Sequence, residues 1–172
     1  MIKAIGLFIV TLFLSGCFGG DDGISIPLGE DGESISVGGN EEEGFSFEAE
    51  NADGENFSLN SSTEIPEEFP AEIPLPDDYE LINAMKMSDN GDEAVTVSYL
   101  TETLSVDELV LLYKGFVDES GYESTSEMIT DGYNTLSMQN ENDVITINII
   151  PDEDKKQVTV TISYFKSTKN KE

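Results

Sequence analysis

Two stretches near the C-terminal end alternate without a break. Ile145, Ile147 and Ile149 are separated by Thr146 and Asn148, while Val158, Val160, Ile162 and Tyr164 are separated by Thr159, Thr161 and Ser163. A repeat of two is the period of a β-strand and cannot be laid on a helix, whose period is 3.6. One apolar and one polar face per strand calls for an antiparallel sheet covered on one side and open on the other. The open side would carry Thr146, Asn148, Thr159, Thr161, Ser163 and, at its end, Phe165. These six residues are the best candidate surface for a partner.

The preceding sequence supplies further strands. Residues 79–87 alternate, with Tyr79, Leu81, Met85 and Met87 assigned to one face, and Asp89-Asn90-Gly91-Asp92 makes a turn. Residues 94–101 place Val95, Val97 and Tyr99 opposite Thr96 and Ser98. Residues 122–130 and 133–139 flank an Asp131-Gly132 turn, and the strands 143–150 and 157–165 complete the set. Between them, Ser105-Val106-Asp107-Glu108 has the form of a capping box, in which the Ser hydroxyl accepts an amide and the Glu reaches back. Val106, Leu109, Val110, Tyr113, Phe116 and Val117 follow helical spacing, and Gly121 suits a left-handed stop, so a helix is predicted over 106–119. The expected fold is α+β: an antiparallel sheet of about five to six strands with one helix packed on one face, over residues 79–166.

Upstream the composition changes. Residues 18–80 hold 19 acidic side chains and no basic one, among Gly, Ser and Asn. Such a segment buries little apolar surface to offset its ordering entropy, so 17–64 is predicted to be a mostly flexible acidic stalk. It contains an imperfect repeat. Ile24-Ser25-Ile26, Asp31-Gly32-Glu33 and Ile35-Ser36-Val37 recur as Phe45-Ser46-Phe47, Asp53-Gly54-Glu55 and Phe57-Ser58-Leu59. Asp-Gly supplies the positive φ of a tight turn, so each unit is a possible short β-hairpin. Residues 65–78 carry a proline every two to four positions and form a stiff strap whose Ile65, Phe69, Ile73 and Leu75 can pack on the domain. Residues 167–172 are a short basic tail.

The first 16 residues have one charge, Lys3, and an apolar run from Ala4 to Leu14, too short to span a bilayer. The run ends at Leu14-Ser15-Gly16-Cys17, which holds the only cysteine. This resembles the lipobox of bacterial lipoproteins. The resemblance implies that the signal 1–16 is removed, that Cys17 receives a lipid anchor with acyl chains, palmitate among them, and that the protein stays on the exported face of a cell membrane or outer membrane. Two or more acyl chains hold a protein stably on a membrane. Phe69-Pro70-x-x-Ile73-Pro74-Leu75-Pro76, with the strand pair, the helix near Tyr113 and Gly121-Tyr122, also resembles small bacterial envelope lipoproteins of uncharacterised function.

The inventory of reactive side chains is short. There is no His, Arg or Trp, and 36 acidic residues stand against 8 basic ones for a net charge of −28. A polyanion of this kind is repelled by nucleic acid, whose binders cluster Lys and Arg. No phosphate-binding glycine loop or nucleophile elbow is present, and no cofactor is expected. The Asp-Gly clusters lack the ligand spacing of a calcium loop, so no specific metal site is predicted and turn chemistry accounts for them. Three readings follow: a non-catalytic binding or structural domain facing an envelope protein or glycan, a carboxylate-dependent hydrolase of surface or wall glycans, and a weak divalent-cation-binding polyanion. The first is preferred.

Overall fold

The structure, a computed structural model, describes residues 24–27, 33–40 and 44–166. Cys17, the signal segment, Asp21-Asp22-Gly23, the first Asp31-Gly32 turn and the basic tail lie outside the described residues. Ten strands form one antiparallel sheet: β1 (Ile24–Pro27), β2 (Ser34–Asn40), β3 (Gly44–Glu50), β4 (Asn56–Ser62), β5 (Glu80–Asp89), β6 (Asp92–Thr101), β7 (Glu123–Met128), β8 (Asn134–Gln139), β9 (Asp143–Asp152) and β10 (Gln157–Lys166). Their order across the sheet is β1-β2-β3-β4-β5-β6-β10-β9-β8-β7. The one helix among the described residues, α1 (Val106–Ser120), connects β6 to β7.

This corrects the expectation of an α+β sheet of five to six strands. The fold is β-rich: the described residues form ten strands in one sheet and one short helix. The physical reason is the pairing of β4 with β5, Leu59 opposite Met87 and Ser61 opposite Met85. That ladder joins β1–β4 to the rest, so the hairpins of the acidic segment satisfy their backbone groups as an extension of the sheet. An isolated hairpin is marginal in water, whereas one docked on an existing edge is templated by it.

The core lies between α1 with the strap on one side and strands β5, β6 and β8–β10 on the other. Val95, Val97 and Tyr99 of β6, Ile145, Ile147 and Ile149 of β9, and Val160 and Ile162 of β10 are fully buried. Leu109 and Tyr113 of α1 are buried against this face, and Phe69 and Ile73 of the strap join the same cluster. The capping box forms, with the Ser105 amide donating to Glu108 at 2.9 Å, and Gly121 ends the helix at φ 79°.

A second correction concerns β5. Its register shifts between Leu81, opposite Tyr99, and Asn83, opposite Ser98. Ile82 is the extra residue of a β-bulge, and a bulge reverses the alternation beyond it. Leu81 and the buried Ala84 therefore face α1, whereas Met85 and Met87 face away from it, not together with Leu81 as their spacing suggested. A bulge leaves no mark in the apolar pattern that distinguishes it from continuous alternation.

Candidate functional site

Buried side chains of both elements meet in the space between helix and sheet. Tyr99 on β6 and Tyr113 on α1 meet there hydroxyl to hydroxyl at 2.5 Å, both fully buried. At the far end of the helix, Tyr164 and Tyr122 donate to the two carboxylate oxygens of Asp143, at 3.2 and 3.4 Å. Burial, with the Asp143 charge beside it, pushes the Tyr122 hydroxyl up to about 12 and Tyr164 well above the usual range for the same two reasons.

The opposite face of the sheet is covered by no other described element. The register brings the six predicted residues together there. Ser163 lies between Thr96 and Thr146, Thr161 between Ser98 and Asn148, Thr159 between Leu100 and Ile150, and Phe165 between Ala94 and Val144. The polar ones form a hydrogen-bonded ladder: Ser98 to Thr161 at 3.0 Å, Thr96 to Ser163 at 3.4 Å and Ser137 to Thr146 at 3.5 Å. The Asn148 side-chain oxygen accepts from Tyr133 at 2.6 Å and from Thr135 at 3.0 Å. Those two bonds engage the amide oxygen and so orient the Asn148 side chain, whose NH2 is its donor group. The surface is thus neutral, rich in hydroxyl and amide groups, and bordered by Phe165, which is 40% exposed. Sequence reasoning missed its neighbours Val144, Tyr133 and Thr135; each occupies an outward strand or turn position that only the register places beside the ladder.

Beside the ladder an apolar row crosses the sheet. Val37, Phe47, Leu59 and Met87 are successive cross-strand neighbours, and Met87 is opposite Ala94, which is opposite Phe165. Strands β2–β4 turn their polar side chains, Ser36, Glu48 and Ser58 among them, to the other side. That side holds a shallow groove of about 470 Å³ lined by Ser36, Ser46, Glu48 and Asn60 among others.

Glycoside hydrolysis needs two carboxyl groups facing each other across a bond. The large groove has one, Glu48. A smaller neighbour of about 310 Å³ has Glu48 and Glu50, side by side on one strand. A third groove, at the start of α1, has Glu102, Glu108, Asp152 and Glu153. Of these, Glu108 caps the helix, Glu102 accepts from Gln157 at 2.7 Å, and Asp152 pairs with Lys155 at 3.3 Å. Among the described residues, no group of three or more Asp, Glu, His or Cys side chains is placed to hold a metal ion, and no helix is long and apolar enough to cross a membrane.

Fold and surface together define a β-rich domain with an apolar core, a helix on one face and an open neutral face on the other. The family model for START domain-like proteins matches residues 81–169, just over half of the chain, and the chain belongs to that family. The match begins inside β5 and leaves β1–β4 as an addition on its N-terminal side. No curated protein and no solved structure matches the chain.

Proposed function

We propose that this chain is a lipid-anchored envelope protein presenting a non-catalytic binding domain, with the open face of β9 and β10 as its binding surface. Membership of the START domain-like family favours a ligand-binding role over a catalytic one. The observation that carries the reading is the neutral ladder of Thr146, Asn148, Thr161 and Ser163, bordered by Phe165, in a chain of net charge −28. A neutral face in so acidic a chain discriminates by hydrogen bonding and shape, not by charge. Fixed hydroxyl and amide groups beside an aromatic ring suit a glycan or a peptide segment of an envelope protein.

The anchor is proposed on the lipobox Leu14-Ser15-Gly16-Cys17, with the lipid on Cys17 and the domain on the exported side. Two experiments test the two halves separately. Cys17→Ser is expected to move the protein from the membrane fraction to the soluble one; retention on the membrane would refute anchoring. A photo-crosslinker at Thr161 in intact cells is expected to yield a discrete adduct, lost on Phe165→Ala, while the same probe at exposed Asp118 on α1 yields none. Equal labelling from both positions would sink the binding face.

A further inference from the structure

The proposed binding ladder leaves unexplained the apolar half of the same face, on β1–β5. Ile35, Val37, Phe47, Phe57, Leu59 and Met87 lie together there, with the Phe47 and Phe57 rings edge to face at 6.2 Å. Ile26, Phe45 and Met87 on this face are 51%, 46% and 39% exposed. The helix and the strap cannot cover the patch, because both pack on the opposite side. The bulge at Ile82 is the cause: it puts Met85 and Met87 away from α1, and the pairing of β4 with β5 carries that parity through β4, β3 and β2.

We infer that this face pairs with a second copy of the chain, sheet against sheet. The inference uses residues other than the binding ladder and does not depend on the anchor. Three observations choose this occupant. First, no ionisable side chain of β2–β4 points to this face; Glu48 and Glu50 project from the other, and Asp89, opposite Phe57 at the end of β5, stands only at its border. A strongly charged partner finds no charge to pair with at the centre of the patch. Second, an anionic lipid surface would be repelled by a chain with 36 acidic residues, while between two copies the uncharged centre of the patch meets an identical uncharged centre. Third, the dimensions suffice. Five strands and three rows of side chains span roughly 24 by 20 Å, near 500 Å² in projection and more in accessible area. A self-pair buries upwards of ~1,000 Å², where specific interfaces begin. Two such faces stacked about 10 Å apart make the inside of a β-sandwich, and a two-fold axis makes the contact closed.

Sedimentation of the full chain across concentration is the test. The expected result is a reversible dimer, twice the mass of the monomer. Salt should strengthen it, because screening relieves repulsion between two acidic chains whose contact holds no ion pairs. Phe47→Glu is expected to weaken the dimer by about 30-fold or more, as for a residue at the centre of an interface. Glu48→Lys, one residue along and on the other face, should not weaken it. Thr161→Lys on the binding ladder should leave the mass unchanged even where it abolishes partner capture, so failure of the two proposals is distinguishable. Should Phe47→Glu misfold, slower amide exchange in residues 35–59 of the unsubstituted chain at high concentration gives the same readout. A monomer at all accessible concentrations overturns the inference, as does a dimer unchanged by Phe47→Glu in a folded variant. So does a monomer that binds phosphatidylglycerol vesicles through residues 35–59.

Discussion

The hydroxyls of Tyr99 and Tyr113 meet at 2.5 Å in the fully buried space between β6 and α1, and each is the polar end of an otherwise apolar ring packed in the core. A buried hydroxyl left without its partner forfeits solvation and bond together, whereas removing both costs little. Tyr99→Phe and Tyr113→Phe are therefore each expected to destabilise the domain by about 1–3 kcal/mol, and the double variant by less than the sum. Denaturant unfolding of the four proteins gives the cycle, and strict additivity would show that the two hydroxyls do not depend on each other.

The same tyrosines set an alkaline limit. Burial pushes the Tyr99 hydroxyl up to about 12 and Tyr113 higher still, and Tyr122 is also pushed up to about 12. An unfolded tyrosine titrates near 10. The folded state thus holds protons that the unfolded state has lost, and stability is full below about pH 10 and falls as pH rises toward 12. The slope is about 1.4 kcal/mol per pH unit for each tyrosine kept protonated. Ionisation of the buried Tyr99, Tyr113 and Tyr122, followed by tyrosinate absorbance, is expected to appear together with unfolding, not ahead of it.

Gly44 carries the weight of the N-terminal extension. Its φ is +89°, and a Cβ there would lie 2.2 Å from the Ser61 carbonyl oxygen on β4. Gly44→Ala must separate β3 from β4 at that point. It is expected to expose residues 44–62 to proteolysis and rapid amide exchange while the thermal transition of β5–β10 persists. Loss of both together would show that the sheet unfolds as a single cooperative unit.

The strap offers a contrast between burial and charge. Phe69 is buried in the core cluster, whereas Glu68 beside it makes a partly exposed ion pair with Lys86, which also meets Glu93 at 3.5 Å. The Lys86 ammonium, through its hydrogen bond, holds the Glu68 carboxyl below the usual range. Phe69→Ala is expected to cost about 3–5 kcal/mol, Glu68→Gln less than about 1. Because the Glu68 carboxyl is depressed in the folded state, its small contribution is present at neutral pH and disappears as pH falls through that lowered value. Melting curves of the two variants at neutral and acid pH check both statements.

What the residues alone determine here is local. The alternation of Ile145–Ile149 and Val158–Tyr164, the capping box at Ser105 and the stop at Gly121 each depend on neighbours within a few positions, and such patterns survive in a linear reading. The outward set Thr146, Asn148, Thr159, Thr161, Ser163 and Phe165 follows from the same alternation. Two outcomes depend on contacts between distant residues, and only the tertiary structure decides them. One is the docking of Leu59 beside Met87, which turns an acidic, Gly- and Ser-rich segment into four more strands of the sheet. Its composition argues for disorder because composition counts only the surface a segment can bury by itself, not the backbone groups an existing edge can satisfy. The other is the bulge at Ile82, a single extra residue that exchanges the faces of Met85 and Met87. That parity sends the apolar side chains of β2–β4 away from the helix, and so decides where this protein is left with a surface to share.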